Sequence, residues 1–383
     1  ITKKTYLYSM IKLYPNTNIV TKEGILPLSE IKGERISAIK GYNKIKDFKM
    51  NGRQKMNKLE LKNGYSITVS GEAKVLTPEG PKLIQDLQPN DYVMHISEGI
   101  KVLPKKVQVN WLNNLNNNYM PIKVPSLLTE DLCLWLGMVA SKGYFKEDNG
   151  VVGFKIISKE MGKLFFDLTF KVFKIEPIIY EEKRTKAKYY YTVSKNVVRF
   201  LKQSLGSSAK IKKVPSFLLT APLEEQLKFI QGLTLDGFVD NKKLIVYGGS
   251  SKSFSDFVAI VLRNAGYLIY QQLKTKGDKK YYHTRIQYKT EYAYPFKPLE
   301  EGKIVKIEED CFVRVGPLIK LLKDKKTVMK KSALETKIRE DHKVSTREYF
   351  VKVKDNSIVT QKNVSFSLER DKGMVINSLL IFE

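Results

Sequence analysis

Two apolar stretches with internal glycines, about a hundred residues apart, constrain this chain more than any other feature in it. One runs Leu134-Trp135-Leu136-Gly137-Met138-Val139-Ala140-Ser141-Lys142-Gly143, the other Phe229-Ile230-Gln231-Gly232-Leu233-Thr234-Leu235-Asp236-Gly237. Apolar residues recur in both at helical spacing. Each follows a Val-Pro-Ser start (Val124-Pro125-Ser126, Val214-Pro215-Ser216) and precedes a Lys-rich, strand-like stretch. Small residues inside such helices allow close approach, and a terminal Gly lets the chain turn sharply out of the helix. The two helices are expected to pack together, which would bring Lys142 and Asp236, each just before a final glycine, to one end of a pseudo-two-fold interface.

The segments after the two helices repeat as well. The first helix leads into a strand near 151–157, a helix near 159–173 and a hairpin with its tip at 183–188; the second leads into a strand at 243–247, a helix near 252–265 and a hairpin with its tip at 274–280. In the last hairpin, period-two alternation places His283, Arg285, Gln287 and Lys289 on one face and Tyr282, Thr284, Ile286 and Tyr288 on the other. The counterpart face of the first hairpin is Lys188, Tyr190, Thr192 and Ser194. Side chains of these types bond base edges and phosphates, and a two-stranded ribbon fits the major groove. With Lys186 at the first tip and Lys276, Lys279 and Lys280 at the second, these residues are the expected DNA contacts.

A formal net charge of +27, from 67 Lys and Arg against 40 Asp and Glu, points to a polyanionic partner, most simply double-stranded DNA. A hydrophobic content of 42% with 11% aromatics excludes a disordered chain. The run Leu132 to Ala140 is far too short to span a bilayer, and Ile1-Thr2-Lys3-Lys4 has no signal-peptide layout, so the expectation is a soluble intracellular protein, nuclear in a eukaryote. Cys133 and Cys311 suggest neither a disulfide framework nor a zinc site, and Cys133 reads as a small core residue.

Residues 1–100 read as short strands broken by turns such as Asn51-Gly52, Lys62-Asn63-Gly64 and Pro78-Glu79-Gly80, and an Asn-rich connector extends from there to 123. Residues 124–298 hold the repeats, 124–200 and 212–292. Residues 299–345 read as a basic helical segment with helices at 317–323 and 329–339, and strands resume over 346–383. Neither β segment has enough strands to close a core alone, so the two are expected to join into one β domain interrupted by the repeats. The expected fold class is α+β.

The order Asn16-Thr17-Asn18-Ile19-Val20, Gly24 to Ile31, Tyr65 to Ser70 and Leu83 to Val93 resembles the N-terminal half of the Hint domain of hedgehog proteins and inteins. The paired helices, with Lys212-Lys213-Val214-Pro215-Ser216-Phe217, are similar to the LAGLIDADG homing endonucleases. The whole chain thus resembles an endonuclease-bearing intein: a pseudo-two-fold core of two αββαββ-type repeats inserted in an all-β Hint-like domain. The resemblance implies that the acid before each final glycine binds a divalent cation, Mg²⁺, for two-metal phosphodiester hydrolysis. Asp236 matches as metal ligand and catalytic acid, whereas Lys142 stands at the other acidic position. The glycines are six positions apart in the first motif and five in the second. A basic residue near the scissile phosphate corresponds to Lys212, with Lys213 the alternative.

Splicing, as the resemblance implies it, needs a Cys or Ser nucleophile, a middle-strand His and a terminal His-Asn. Lys12, Ala73, Phe382 and Glu383 occupy those places, so self-splicing is expected to be absent. These readings describe a splicing-dead, intein-derived protein that binds duplex DNA as a monomer, with cutting lost or reduced. The alternatives are an active free-standing homing endonuclease in which Glu147 or Asp148 supplies the missing acid, and a structural or recruitment protein that holds nucleic acid in a larger assembly.

Overall fold

The computed structural model describes residues 10–21, 23–31, 35–38, 41–77, 80–96, 107–109, 125–156, 159–181, 188–206, 212–234, 239–240, 243–265, 269–286, 304–308, 311–314, 348–368, 373–376 and 379–382. The chain divides into two compact units. The first comprises 1–102, 262–272 and 287–383, the second 103–261 and 273–286. The boundaries expected from sequence were 123/124 and 298/299.

The first unit begins with β1 (Ile11–Leu13), β2 (Asn18–Thr21), β3 (Gly24–Pro27), β4 (Arg35–Ala38), β5 (Gly41–Leu61), β6 (Ser66–Val69), β7 (Lys74–Thr77), β8 (Gly80–Leu83) and β9 (Tyr92–Ile96). The second unit continues with α1 (Glu130–Lys142), β10 (Gly143–Lys146), β11 (Val151–Ile156), α2 (Lys159–Phe173), β12 (Ile178–Glu181), β13 (Lys188–Val193), α3 (Lys195–Leu205) and α4 (Ser216–Leu219). After these come α5 (Leu223–Thr234), β14 (Val239–Asp240), β15 (Lys243–Gly249), α6 (Lys252–Asn264), β16 (Ile269–Lys276) and β17 (Lys279–Ile286), with the end of α6 and the start of β16 counted in the first unit. The chain then returns to the first unit with β18 (Ile304–Glu308), β19 (Cys311–Arg314), β20 (Glu348–Leu368), β21 (Gly373–Ile376) and β22 (Leu379–Phe382).

In the first unit β20 joins the two ends of the chain. It pairs antiparallel with β1 (Ile11↔Phe366), β5 (Lys49↔Ser365) and β9 (Val93↔Val351) within a 14-stranded sheet. The core beneath is aliphatic, with Leu13, Leu59, Val69, Val75, Val353 and Phe366 all 1% exposed or less. Asn51 donates to Asn363 Oδ1 and Ser365 Oγ, both at 3.0 Å, so the polar residues along this ladder are satisfied across it. The hairpin β18–β19, paired to β20 at Phe312↔Phe350, is the described part of 299–345 and corrects the helical reading there. Its Ile304, Val305 and Ile307 are β-branched and suit a strand. The helices expected at 317–323 and 329–339 lie outside the described residues.

The second unit contains αββ elements in tandem, with sheet orders β10-β11-β13-β12 and β14-β15-β17-β16. Helix α1 starts on Thr129, whose side chain accepts from the Leu132 N–H at 3.2 Å. Buried residues surround the axis of this helix: Leu132, Cys133, Trp135, Leu136, Met138, Val139 and Ala140. Each repeat seats one aromatic of its first helix on aromatics of its second. Trp135 meets Phe173 at 4.6 Å between centroids and donates to Thr169 Oγ1 at 2.9 Å; Phe229 meets Phe254 at 5.8 Å and Phe257 at 6.3 Å. The symmetry breaks before the helices, where Pro215-Ser216 opens the short α4 while Leu127, after Pro125-Ser126, forms a bridge to Gln108.

Candidate nucleic-acid interface

Helices α1 and α5 touch through backbone at two glycines. A Cβ on Gly137 would lie 2.0 Å from the Phe229 carbonyl oxygen, and one on Gly232 would lie 2.2 Å from that of Leu134. No other residue type allows these axes so close. At the C-terminal end of α1, Gly143 has φ −67°, so it is not required there for a left-handed turn; a Cβ would instead crowd the last helical turn, 2.7 Å from Val139 O. The sharp exit expected from a left-handed glycine is thus replaced by extended backbone leading directly into β10.

Lys142 is the last residue of α1; its side chain and the whole of Asp236 lie outside the described residues. Lys212 is well placed at this helix end. Its Nζ donates to the Ala140 carbonyl, one of the carbonyls that α1 leaves without a helical partner. Burial lowers the pKa of this lysine. Lys213 is exposed, its N–H bonded to Leu205 O at 3.0 Å. A divalent cation is implied here by the resemblance, but the donors at the α1 end are an ammonium on Ala140 and a lysine as the final helical residue. Among the described residues no three His, Cys, Asp or Glu side chains cluster. The described donors at the α1 end are thus cationic, and a divalent cation takes oxygen ligands rather than ammonium groups.

Glu147, the residue that the alternative reading offers as the missing acid, is not at the end of α1. It lies beyond the whole of β10, roughly 13 Å of strand from the helix end. Its carboxylate is held by Lys202 at 2.6 Å. Asp148 is an exposed residue of the same turn.

The sheets present one face to the helices and leave the other open. In β17, Thr284 is fully buried and bonds Ser255 Oγ at 2.7 Å, so His283 and Arg285 share the other face, opposite Gly248 and Ile245, where both are half-buried and His283 Nδ1 and Arg285 Nε are shielded from solvent. Lys276, Lys279 and Lys280 are exposed around the turn at Gly277, whose φ of +57° suits a tight hairpin. Gln287 and Lys289 lie outside the described residues.

In β13 the face expected to contact DNA is the buried one. Tyr190 is 6% and Thr192 1% exposed, opposite Phe154 and Val152 of the core, and the Tyr190 ring lies on α2 where a Cβ on Gly162 would be 2.3 Å from it. With tyrosine at 189, 190 and 191, alternation in β13 defines two faces without saying which is inner; its neighbour β11 decides, because Val152 and Phe154 must face the helices. The open face therefore carries Tyr189, Tyr191 and Val193. Ser194 turns away from the sheet and caps α3, accepting from the Val197 N–H at 3.2 Å. Lys186 and the side chain of Lys188 lie outside the described residues.

The positions that the resemblance assigns to splicing, so far as they are described, come together in the first unit. The Lys12 N–H donates to Ser70 Oγ at 3.3 Å, Ser70 N–H donates to Lys12 O at 2.9 Å, and Ala73 N–H donates to Ser70 O at 3.2 Å. Phe382 pairs with Lys74, the neighbour of Ala73, while Glu383 lies outside the described residues. Ala73 is 3% exposed, so a methyl group fills the place where the resemblance puts an imidazole. His95, which no sequence motif singles out, is fully buried edge-on to Tyr65 at 5.2 Å; burial, with the charge of Arg263, holds it neutral.

Lys212 leads to a stability prediction. Burial disfavours its charged form, so between its folded and unfolded pKa values the folded chain binds fewer protons than the unfolded one. The penalty is present at neutral pH and lifts as pH rises through the folded-state value. Lys212→Met should therefore remove that penalty, which is largest at pH 7, while weakening DNA binding. Thermal melts at pH 7 and 10 test this, the gain shrinking at the higher pH; a lower Tm at pH 7 would contradict it.

No family model and no curated protein matches the chain. Solved structures do. The gp41-1 intein matches at 24% identity over 23% of this chain and 70% of its own, with a TM-score of 0.21. The DnaB intein from Synechocystis sp. PCC 6803 matches at 17% identity over 22% and 68%, TM-score 0.21. The homing endonuclease I-DmoI, in complex with DNA and Ca, matches at 16% identity over 41% and 83%, TM-score 0.30. The chain is an α+β protein that is similar over part of its length to inteins and over part to a LAGLIDADG homing endonuclease.

Proposed function

We propose that this chain is an intein-derived protein that no longer splices and that binds double-stranded DNA site-specifically through the open faces of its two four-stranded sheets, with double-strand cleavage lost or reduced. The observation that carries this reading is the backbone contact of Gly137 with the Phe229–Gly232 turn. It joins two like repeats about one axis inside a single chain, as a monomer that grips both halves of a duplex would require. Exposed lysines flank the β16–β17 turn, and the half-buried His283 and Arg285 share the sheet face opposite to Thr284, the side-chain types that meet phosphate and base edges. Loss of splicing is supported by Lys12 and Ala73, whose side chains supply neither a Cys or Ser nucleophile nor a proton-transferring imidazole.

Duplex affinity should fall steeply with salt, because each phosphate contact releases counterions. Lys276→Ala, Lys279→Ala and Lys280→Ala together should reduce the log–log slope by roughly 2 to 3 and weaken binding to every sequence alike. Arg285→Ala and Gln287→Ala should relax preference at their base positions by about 1–3 kcal/mol. Fluorescence anisotropy across a salt series measures both. Salt-independent binding, or binding untouched by all five changes, would overturn the reading.

A further inference from the structure

We infer that the open face of the first four-stranded sheet is a platform of tyrosine rings on which unpaired bases stack, so that the half of the DNA target lying against it is held opened. The inference rests on the duplex-binding reading above and adds the form in which one half of the duplex is bound. Register sets this face in three rows across β10, β11, β13 and β12: Lys146, Val151 and Val193; then Tyr144, Gly153, Tyr191 and Ile178; then Lys155, Tyr189 and Tyr180. Four tyrosines thus occupy two adjacent rows. The Tyr144 ring reaches over Gly153, its ζ carbon and hydroxyl both 2.4 Å from where a Cβ would be, so it lies down on the sheet with one π face on the backbone. Only a residue without a side chain leaves room for that. Burial, with the phenols of Tyr189 and Tyr191 close by, raises the Tyr144 pKa, so this ring stays uncharged beside a polyanion. In the next row the Tyr180 and Tyr189 centroids are 6.2 Å apart, and Tyr180 is 57% exposed.

In a paired duplex the bases turn their edges to the groove and their faces to one another, so rings on a groove-binding sheet have no base face to meet. Spacing leads to the same point. Adjacent rows lie two residues apart along each strand, about 6.8 Å, twice the roughly 3.4 Å between successive bases of a stacked strand. A strand whose bases have come apart can set one on each row, whereas a stacked strand cannot. Four-stranded sheets that present aromatic rings hold single strands in this way in RNA-binding domains. Each stacked base is worth about tenfold in affinity, which offsets the cost of unpairing. The three rows contain no Asp or Glu, Lys146 at their margin is exposed, and Lys155 stands in the row of Tyr189. With a net charge of +27, this combination of rings and cations suits a strand of nucleotides rather than a protein surface.

The test selects a site from a randomised duplex library near physiological salt with the full chain, then replaces adjacent base pairs by mismatches in one half at a time and measures affinity by fluorescence anisotropy. Mismatches in the half that meets the tyrosines remove the cost of unpairing and should tighten binding about tenfold or more. Tyr180→Leu with Tyr189→Leu should abolish that gain. Tyr180→Phe with Tyr189→Phe, which keeps the rings and removes the hydroxyls, should retain it. Neither residue is buried, so neither pair of changes cuts into the core. Mismatches that tighten binding in neither half, a gain that survives the leucine changes, or a gain lost with phenylalanine as well would each overturn the inference while leaving duplex binding standing. Absence of any salt-dependent duplex binding would overturn both.

Discussion

Replacing Gly232 by valine should lower the unfolding free energy by about 3 kcal/mol or more, beyond the usual cost of overpacking a core. The first added carbon would lie 2.2 Å from Leu134 O, 2.7 Å from Met138 N and 2.8 Å from the Gly137 Cα. All three are backbone atoms, so no rotamer change relieves the clash. Helices α1 and α5 must separate by about an ångström, and interiors packed at crystal-like density do not absorb that locally. Because these helices join the repeats, the separation should also remove sequence-selective DNA binding wherever the fold survives. Gly52→Ala is the control: nothing lies within 4 Å of its added carbon, and stability should stay within about 0.5 kcal/mol. Chemical denaturation of both variants measures the difference, and a Gly232→Val chain as stable as the parent would show that the helix pair does not hold the unit together.

Incubated with Mg²⁺ and a plasmid bearing its selected site, the chain should produce no linear DNA. A two-metal cut needs a carboxylate from each helix end, and α1 ends in Lys142. Two unit charges about 4 Å apart interact by roughly 4 kcal/mol at an effective dielectric near 20, and a divalent ion doubles that. Repulsion of this size weakens metal binding by several powers of ten. The Lys212 ammonium on the Ala140 carbonyl adds a second cation at the same helix end. Nicking that requires Asp236 is the most that one acid and one lysine at the two motif ends should allow, and Lys142→Asp should increase it. Efficient Mg²⁺-dependent linearisation by the unchanged sequence would refute this and restore the active-endonuclease reading.

Helical spacing and glycine placement were enough to locate α1 and α5, because packing two apolar helices that carry small residues has few solutions. The limits of α2 and α6 were readable for a similar reason, amphipathic periodicity being a local property of the chain. Other features depend on groups far apart in sequence. Lys212 could be matched to a role by motif, but its bond to Ala140 spans 72 residues and arises from where α1 ends. The hairpin β18–β19 forms against β20, a strand that begins 34 residues after β19 ends, so local composition in 299–345 held no sign of its partner. The sequence reading put Tyr190 and Thr192 on the outer face of β13, and β11 reverses it by setting Phe154 and Val152, their partners, against the helices. Alternation records that a strand has two faces; which one meets the core depends on the neighbour it pairs with, and that pairing exists only once the sheet has formed.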